Sequence, residues 1–284
     1  MTVRPLTPAG GSAARGRQPL PRVSVIVPAF NEVDTVGRCL AALQRQSVAP
    51  FEVIVVDNMS TDGTLEHYRA LAADDPSVIV ITQTEAQGLV PTRDRGFDAA
   101  RGDVLARIDA DTVVSADWIR QLALSFARPG IAATTGPVGY YDLPLATVMR
   151  QVDDFARRAI TTVCGAPFLY GSNMALRRSA WRSIRSSVCS DPDDLFHEDI
   201  DLAVHLARHG LPIGYTPRMA ATVSARRMGD SAEEFADYTR PFDRTLDAHG
   251  VRHASLRVTG ALLRRAYPVL HHAHRYEVRR AAAA

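Results

Sequence analysis

The sequence changes from apolar to acidic at Val104-Leu-Ala-Arg-Ile-Asp109-Ala-Asp111-Thr112, where two aspartates stand one residue apart. Residues i and i+2 of an extended segment point to the same side. We therefore expect Asp109 and Asp111 to direct their carboxylates toward one point just beyond a strand. Neighbouring carboxylates repel each other unless a positive charge is close, and a hard divalent cation with phosphate oxygens would supply it. Taken alone, the pair is also typical of a loop that begins with acidic turn residues.

Buried strands alternate with helical patterns in the first half of the chain. Apolar runs predict the strands, and apolar residues at helical spacing predict the helices between them. The predicted strands are Val23–Pro28, Phe51–Asp57, Val78–Ile81 and the run that ends at Asp109. The predicted helices cover Val36–Leu43, capped by Asn31 or Asp34, then Leu65–Leu71, and Pro91–Ala100, ended by Gly102. This alternation favours an α/β fold with a mostly parallel sheet between flanking helices.

Polar residues follow three of these strands. Pro28-Ala-Phe-Asn31 comes after the first strand, Asp57-Asn58 after the second and Asp109-Ala-Asp111 after the fourth. Ligands of such sheets bind outside the carboxyl ends of the strands. Because the three groups meet at one edge, the acidic pair is better interpreted as part of a ligand site than as an isolated turn.

The second half has weaker patterns. We predict helices from Trp118, over 145–162 and from His197 to Gly210, and strands over 131–137, 171–177, 213–216 and 220–224. Two terminal helices, 232–249 and 254–272, form a helical C-terminal appendage. The segment 250–280 has seven arginines and one acidic residue. A basic amphipathic helix of this kind either packs on its own domain or lies on an anionic membrane.

Composition excludes some classes of protein. The chain has 284 residues, and its net charge of +2 gives no argument for nucleic-acid binding. Cys39, Cys164 and Cys189 are far apart and odd in number, which favours a reducing compartment. We find no signal-peptide pattern and no apolar window of membrane-spanning length, and we expect residues 1–20 to be a disordered arm and the location to be cytoplasmic.

Other phosphate-binding folds do not match. A dinucleotide-binding domain needs Gly-x-Gly-x-x-Gly directly after a strand, and none follows Val27, Val56 or Ile81. A Walker A loop needs a lysine, and all 33 basic residues are arginine. A sugar-nucleotide pyrophosphorylase would have a glycine- and arginine-rich loop after the first strand. Carboxylates that hold a metal are another way to bind a diphosphate.

Four segments together resemble family 2 glycosyltransferases of the GT-A fold, a Rossmann-like fold. They are Val23–Asn31, Val53–Thr64, Gly88–Gly102 and Arg107–Thr112. The resemblance implies a glycosyltransferase domain over 21–228, with a nucleotide-sugar half over 21–112 and an acceptor half over 113–228. Residues 229–284 would be the C-terminal helices.

The resemblance also implies a donor site. Asp111 would bind Mn2+ or Mg2+ on the diphosphate of the nucleotide-sugar, and Asp109 would face the ribose or the metal. The nucleoside, UDP- or GDP-linked, would lie near Pro28, Ala29, Phe30, Glu32, Asp57 and Asn58. Asn58 replaces an acid that the family often has, which leaves the choice of nucleotide open.

Three further positions have two interpretations each. Arg93 matches an arginine that often lies near the nucleotide, or it is an exposed helix arginine. Asn173, in Gly171-Ser-Asn173, resembles the family's sugar-pocket strand, or it caps a turn. Arg226 and Arg227 suit bidentate contacts with a diphosphate, or they form a solvated basic loop.

A second acidic centre lies at Glu198-Asp199. Acids in a first helical turn are favoured by the helix dipole, by about 0.3–1 kcal/mol each. In this context the pair also resembles the family's catalytic motif. An inverting transfer needs a base for the acceptor hydroxyl; we choose Asp199, with Glu198 as the close second, because adjacent helix positions point in different directions.

The sequence thus favours an inverting glycosyltransferase that moves a single sugar to an acceptor hydroxyl. The Gln-x-x-Arg-Trp motif and membrane helices of processive synthases are missing. The acceptor could be a glycan, a lipid-linked molecule or a small molecule, and peripheral contact with the inner face of a membrane would involve the C-terminal helix. The alternative is a catalytically silent nucleotide-sugar-binding module that scaffolds a glycan biosynthesis complex.

Overall fold

The computed structural model describes residues 19–143, 146–164, 168–191, 193, 195–251 and 254–282. Most of the expected disordered arm, 1–20, lies outside these residues. The strands are β1 (Val23–Ala29), β2 (Glu52–Asp57), β3 (Val78–Thr82), β4 (Val104–Arg107), β5 (Val113–Val114), β6 (Ala133–Thr135), β7 (Val138–Tyr140), β8 (Met174–Arg177), β9 (Ile213–Tyr215) and β10 (Ala221–Val223).

The main sheet has seven strands in the order β3-β2-β1-β4-β8-β6-β9. β1 pairs in parallel with β2 and β4, and β2 pairs in parallel with β3. β8 runs antiparallel to β4 and β6, and β9 is parallel to β6. The predicted α/β fold with a mostly parallel sheet is confirmed, and strands from both halves of the chain share this sheet. A second sheet, β5-β10-β7, lies apart from it.

Helices cover both faces of the main sheet. They are α1 (Val36–Gln44), α2 (Thr64–Ala73), α3 (Leu89–Ala99), α4 (Trp118–Phe126), α5 (Ala146–Cys164), α6 (Arg178–Ile184), α7 (Glu198–Arg208), α8 (Ala232–Ala248) and α9 (Ala254–Ala282). Side chains alternate along β1, so Val25 and Val27 enter one core while Ile26 enters the other. Burial on both faces explains why β1 is apolar at nearly every position.

Two local predictions in the first half were wrong. No side chain caps α1: Asn31 has a φ of 54°, and its Oδ1 accepts a hydrogen bond from Thr61 N instead. Gly102 does not end α3. A Cβ on Gly102 would lie 2.5 Å from Ser24 Oγ, so this position needs glycine for close packing against β1.

Helix α5 packs through its polar side. Val152 and Phe155 are 59% and 74% exposed. Asp153 accepts a hydrogen bond from Val138 N, and Asp154 accepts one from the Tyr215 hydroxyl. The apolar spacing predicts this helix correctly, yet Val152 and Phe155 are exposed within the part of the chain that the structure describes.

The predicted terminal helices are present, and the second extends to Ala282. α8 begins with a capping box between Ser231 and Glu234, as expected at a stable helix start. α9 returns along α8, where the Tyr267 ring stacks on the Phe235 ring. Among the described helices, none combines the length and the apolar character needed to cross a bilayer.

Candidate active site

The loops after β1 and β2 are held together by hydrogen bonds. Ser60 Oγ accepts from Asn31 N, and Thr64 Oγ1 accepts from Glu32 N. Asn58 reaches the other way: its amide donates to two carbonyls of the loop before α3, and its Oδ1 accepts from Gly88 N. The edge of the sheet is therefore braced before any ligand binds.

The acidic pair lies in a turn that follows β4. Thr112 closes the turn, because its N–H donates to Asp109 O and its Oγ1 accepts from Asp109 N. The expected extended geometry is therefore wrong, since β4 ends at Arg107. The two carboxylates still repel each other: burial and then the charge of Asp109 raise the pKa of Asp111 to about 7. Loss of water also raises the pKa of Asp109, although Arg107 opposes that shift.

Arg107 joins the two acidic centres. Its Nη2 donates to Asp109 Oδ1 at 2.5 Å, and its Nη1 lies 3.0 Å from Glu198 Oε1. The side chain is nearly inaccessible to solvent. Burial lowers the pKa of this guanidinium, but the neighbouring carboxylates raise it by more, so it stays charged. The sequence analysis did not single out Arg107, although its place two residues before Asp109 on a buried strand was a usable signal.

Gly171 leaves room for that guanidinium. A Cβ at this position would lie 1.3 Å from Arg107 Nη1 and 2.7 Å from Glu198 Oε1. Gly171 N also donates to Asp199 Oδ2 at 2.8 Å. The short turn over Gly171–Asn173 thus contacts both members of the second acidic centre.

Glu198 and Asp199 have opposite electrostatic environments. Burial raises the pKa of Glu198, but Arg107 and Arg93 outweigh this effect, so its pKa is lowered overall. Burial and then the charge of Glu198 raise the pKa of Asp199. Of the two, Asp199 is therefore the carboxylate with the greater proton affinity, which suits a general base.

Arg93 contacts the second acidic centre from the protein interior. It is fully buried, it pairs with Asp94, and its Nη1 donates to Glu198 O at 2.9 Å. The alternative of an exposed helix arginine was wrong. Arg93 thus positions the start of α7, and its contact with the nucleotide stays a prediction.

Two predicted binding residues use their side chains inside the protein. Asn173 is fully buried; its amide donates to Pro137 O and Met219 O, and its Oδ1 accepts from Trp118 Nε1. The Asn58 amide is likewise engaged with its own loops. Both side chains therefore hold parts of the protein together, and a direct ligand contact by either one stays a prediction.

Other residues at this edge remain available. Phe30 is 46% exposed, whereas Pro28 and Ala29 are buried. Asp57 is buried, and its Oδ1 accepts no hydrogen bond from the described residues. Glu198 Oε1 likewise has no hydrogen-bond partner there, despite its ion pair.

Arg226, which follows β10, contacts acidic residues at this edge of the sheet. Its guanidinium forms an ion pair with Glu32, and its Nη2 lies 3.8 Å from Asp111 Oδ2. Arg226 is 45% exposed and is also engaged with these carboxylates. By contrast, Arg227 is largely exposed and lies 3.5 Å from Asp230. A cation therefore already lies against the acidic pair.

Known proteins resemble the chain in sequence and in fold. Glycosyltransferase AglE of Haloferax volcanii is 30% identical over 48% of this chain and 45% of its own length. An N-acetylglucosaminyltransferase of Azorhizobium caulinodans is 27% identical over 71% of this chain and 54% of its own. The chain spans about half the length of these curated relatives.

Two solved structures share the fold. A mannosyltransferase of Pyrobaculum calidifontis, in complex with GDP-Man and Mn2+, aligns with a TM-score of 0.62 and 22% identity over 94% of this chain and 76% of its own. Glucosyl-3-phosphoglycerate synthase of Mycobacterium tuberculosis, in complex with Mn2+, UDP and phosphoglyceric acid, aligns with a TM-score of 0.58 and 19% identity over 82% of this chain and 80% of its own.

The sequence profile of glycosyl transferase family 2 matches residues 24–185, more than half of the chain. This range includes β1, the turn with the acidic pair and the strand that follows Gly171. The match agrees with the motif order and with the sheet, and the chain belongs to glycosyl transferase family 2.

Proposed function

We propose that the chain transfers one sugar from a nucleotide-diphospho-sugar to an acceptor hydroxyl, with inversion at the anomeric carbon. The observation that carries this proposal is Arg107, which contacts Asp109 on one side and Glu198 on the other. A leaving group held at the first acidic centre would therefore lie close to a base at the second. Such closeness is what a single in-line displacement requires.

A divalent metal fits the first centre. Asp109 and Asp111 offer hard carboxylate oxygens, and burial followed by repulsion from Asp109 raises the pKa of Asp111, which a bound cation would oppose. Arg226, 3.8 Å from Asp111, is a cation drawn to the same place. Mn2+ or Mg2+ would be held by Asp111 together with Asp109. The ion would supply positive charge for the departing diphosphate.

The nucleoside would lie between the loops after β1 and β2. Phe30 offers an exposed ring on which a base can stack, and Asp57 Oδ1 offers an unused acceptor for a base N–H. Arg226 would move from Glu32 to the diphosphate, with which a guanidinium forms strong hydrogen bonds. Glu32 would then accept a hydrogen bond from a ribose hydroxyl.

Asp199 would act as the base. Its raised pKa favours uptake of the proton that the acceptor hydroxyl loses as its oxygen attacks the sugar. Glu198 would remain ionised beside Arg107 and orient the guanidinium. A catalytically silent binding module is the weaker alternative, because it gives no reason for a buried carboxylate of raised pKa beside the donor site.

A thermal-shift screen tests the donor site. UDP, GDP and their sugar conjugates are each added with and without Mn2+, since a ligand that binds the folded state raises its apparent stability. We expect one nucleotide series to raise Tm only when metal is present. The Asp111→Ala variant should lose this response, and Arg227→Gln is the matched control. No response of the wild type to any nucleotide would contradict the proposal.

A turnover assay then separates the enzyme from the silent module. The nucleotide-sugar that binds best is incubated with candidate acceptors, and release of the nucleotide diphosphate is measured. The anomeric configuration of the product, read by NMR, tests inversion. Binding without any release of the diphosphate, with acceptors and with water, would support the silent module.

We further propose that α5 and α9 contact an anionic membrane surface. The two helices pack against each other, and both expose apolar residues, Phe155 and Val152 on α5 and Val269 on α9. Exposed Arg265 and Arg275 on α9 add positive charge. Flotation with anionic vesicles should recover the wild type. A Val152→Ser/Phe155→Ser variant should float less, and equal flotation of the two proteins would contradict this contact.

A further inference from the structure

Four metal-binding side chains meet beside α7. Asp201 and His205 lie one helical turn apart on α7, Cys189 precedes that helix, and His249 follows α8. One donor atom from each of the four lies within 4.8 Å of the others. His205 and His249 are largely buried, as is Asp201. None of these residues has a part in the proposed transfer.

The separations match a tetrahedral site. His205 Nε2 and His249 Nε2 lie 3.3 and 2.7 Å from Asp201 Oδ1. Cys189 Sγ lies 4.0 Å from His205 Nε2 and 3.9 Å from His249 Nε2. Zinc–ligand bonds of about 2.0–2.3 Å put tetrahedral donor atoms about 3.3–3.6 Å apart. These four separations lie within about 0.6 Å of the tetrahedral values, and the other two donor pairs lie within 4.8 Å.

We propose that Cys189, Asp201, His205 and His249 bind a structural Zn2+. One thiolate, one carboxylate and two imidazoles form a neutral site with Zn2+, and a mixed sulfur, nitrogen and oxygen set in a tetrahedron suits zinc. Four protein ligands leave no open position for a substrate. The site is therefore structural, and it is independent of the metal proposed at Asp111.

The metal-free cluster is held by hydrogen bonds that zinc would replace. Burial and then Asp201 raise the pKa of Cys189 to about 11, so the thiol is protonated and its proton leaves to solvent when sulfur binds zinc. Arg208 Nη1 lies 3.1 Å from His249 Nδ1. When His249 Nε2 binds zinc, its proton moves to Nδ1, and the exposed Arg208 guanidinium turns to water. Cys189 N still donates to Asp201 Oδ2, which orients that carboxylate.

The proposed ion would fasten α7 to its neighbours. Cys189 comes from the segment after α6, and His249 comes from the end of α8. The first turn of α7 carries Glu198 and Asp199 together with the ligand Asp201, so the ion would hold in place the helix that bears the proposed base. The Zn2+ site thus explains why two histidines and a cysteine meet beside one buried aspartate.

Metal analysis of the full chain, purified from zinc-supplemented cells without chelators, tests the proposal. We expect one zinc per chain, with an X-ray absorption spectrum of one sulfur and three nitrogen or oxygen neighbours. Replacement by Co2+ should give a thiolate-to-cobalt charge-transfer band and the intense visible bands of tetrahedral cobalt. A zinc shell without sulfur, a different bound metal or protein without stoichiometric metal would overturn the proposal.

Variants locate the ion. Cys189→Ser and His249→Gln should each lose the zinc, whereas His209→Gln, an adjacent exposed histidine, should keep it. Asp111→Ala should also keep it, which separates this ion from a metal at the donor site. Full zinc occupancy in Cys189→Ser would overturn the assignment. If the ligand variants do not fold, the absorption and cobalt spectra of the wild type decide the question.

Discussion

Arg107 and its two carboxylate neighbours determine how the proposed chemistry is arranged. The buried Arg107 guanidinium lies between the half-exposed Asp109 carboxylate and the buried Glu198 carboxylate, and removing one partner of a buried pair such as Arg107 and Glu198 typically costs about 3–5 kcal/mol. The same contact lowers the pKa of Glu198 and leaves Asp199 as the stronger base. Asp199 is therefore the proposed base and Glu198 is not, because Glu198 is the carboxylate that pairs with Arg107.

The pH dependence of activity should reflect Asp199. Its pKa is raised above the ordinary aspartate value of 3.8, so its carboxylate form, which accepts the proton, is lost as pH falls through that higher value. We expect kcat/KM, measured at saturating metal, to fall on the acid side at a pH clearly above 3.8. An acid limb at or below 3.8 would point to another base.

The stability of the fold should respond to Glu198 in the opposite sense. Its pKa is lowered in the folded state, so its ion pair stabilises the protein above the unfolded value of 4.5. That contribution is lost as pH falls through the lower, folded value. Urea unfolding of wild type and Glu198→Gln should therefore differ at neutral pH and converge in acid. A constant difference at all pH values would contradict this assignment.

At the scale of elements, the turn at Gly171 is the tightest constraint on the site. Because a Cβ there overlaps Arg107 Nη1, Gly171→Ala must displace the guanidinium or the turn. Overpacking of this kind typically costs about 1–3 kcal/mol. We expect urea unfolding of the variant to show a loss of this size, together with weakened turnover.

Gly37 supplies the matched control for that substitution. It lies inside α1, and the nearest atom to an added Cβ is 4.0 Å away. Alanine is favoured over glycine within a helix by about 1 kcal/mol. Gly37→Ala should therefore keep or raise the stability. Equal losses in both variants would show that the contact with Arg107 has no special importance.

Arg226 should weaken the binding of the metal alone and strengthen the binding of the nucleotide diphosphate. Without a ligand, Arg226 competes with a metal for Glu32 and Asp111; with a nucleotide-sugar it would bind the diphosphate. In Arg226→Gln, Mn2+ alone should bind more tightly, whereas the nucleotide diphosphate should bind about tenfold or more weakly, as a lost charged hydrogen bond predicts. Titration calorimetry measures both affinities, with Arg227→Gln as control. Changes of the same sign would contradict this role.

The sequence predicts elements better than it predicts their contacts. Apolar spacing identified α5, but its packing through Asp153 and Asp154 depends on partners in distant strands. Motif order placed the acidic centres at one edge. The roles of Asn58, Asn173 and Arg93 could not be predicted, because each contacts backbone groups that only the folded chain brings near. β5 and β7 are two and three residues long, too short to show a period.

At the scale of the whole molecule, the main sheet unites the two expected halves. β8 from the second half lies beside β4 from the first, and this pairing brings Gly171 next to Arg107. Glu198, in the first turn of α7, then contacts Arg107 and so lies near Asp109. The candidate site therefore depends on strands from both halves of the chain, whereas the donor edge alone follows from residues 21–112.

A single-turnover assay with enzyme in excess tests the joint role of the two centres most directly, because it gives donor affinity and transfer rate together. With the nucleotide-sugar that gives the largest thermal shift, Asp199→Asn should bind the donor like wild type yet transfer about 100- to 10,000-fold more slowly, as loss of a general base predicts. Asp111→Ala should instead lose donor affinity. Transfer by Asp199→Asn at the wild-type rate would contradict a site with the leaving group at Asp111 and the base at Asp199.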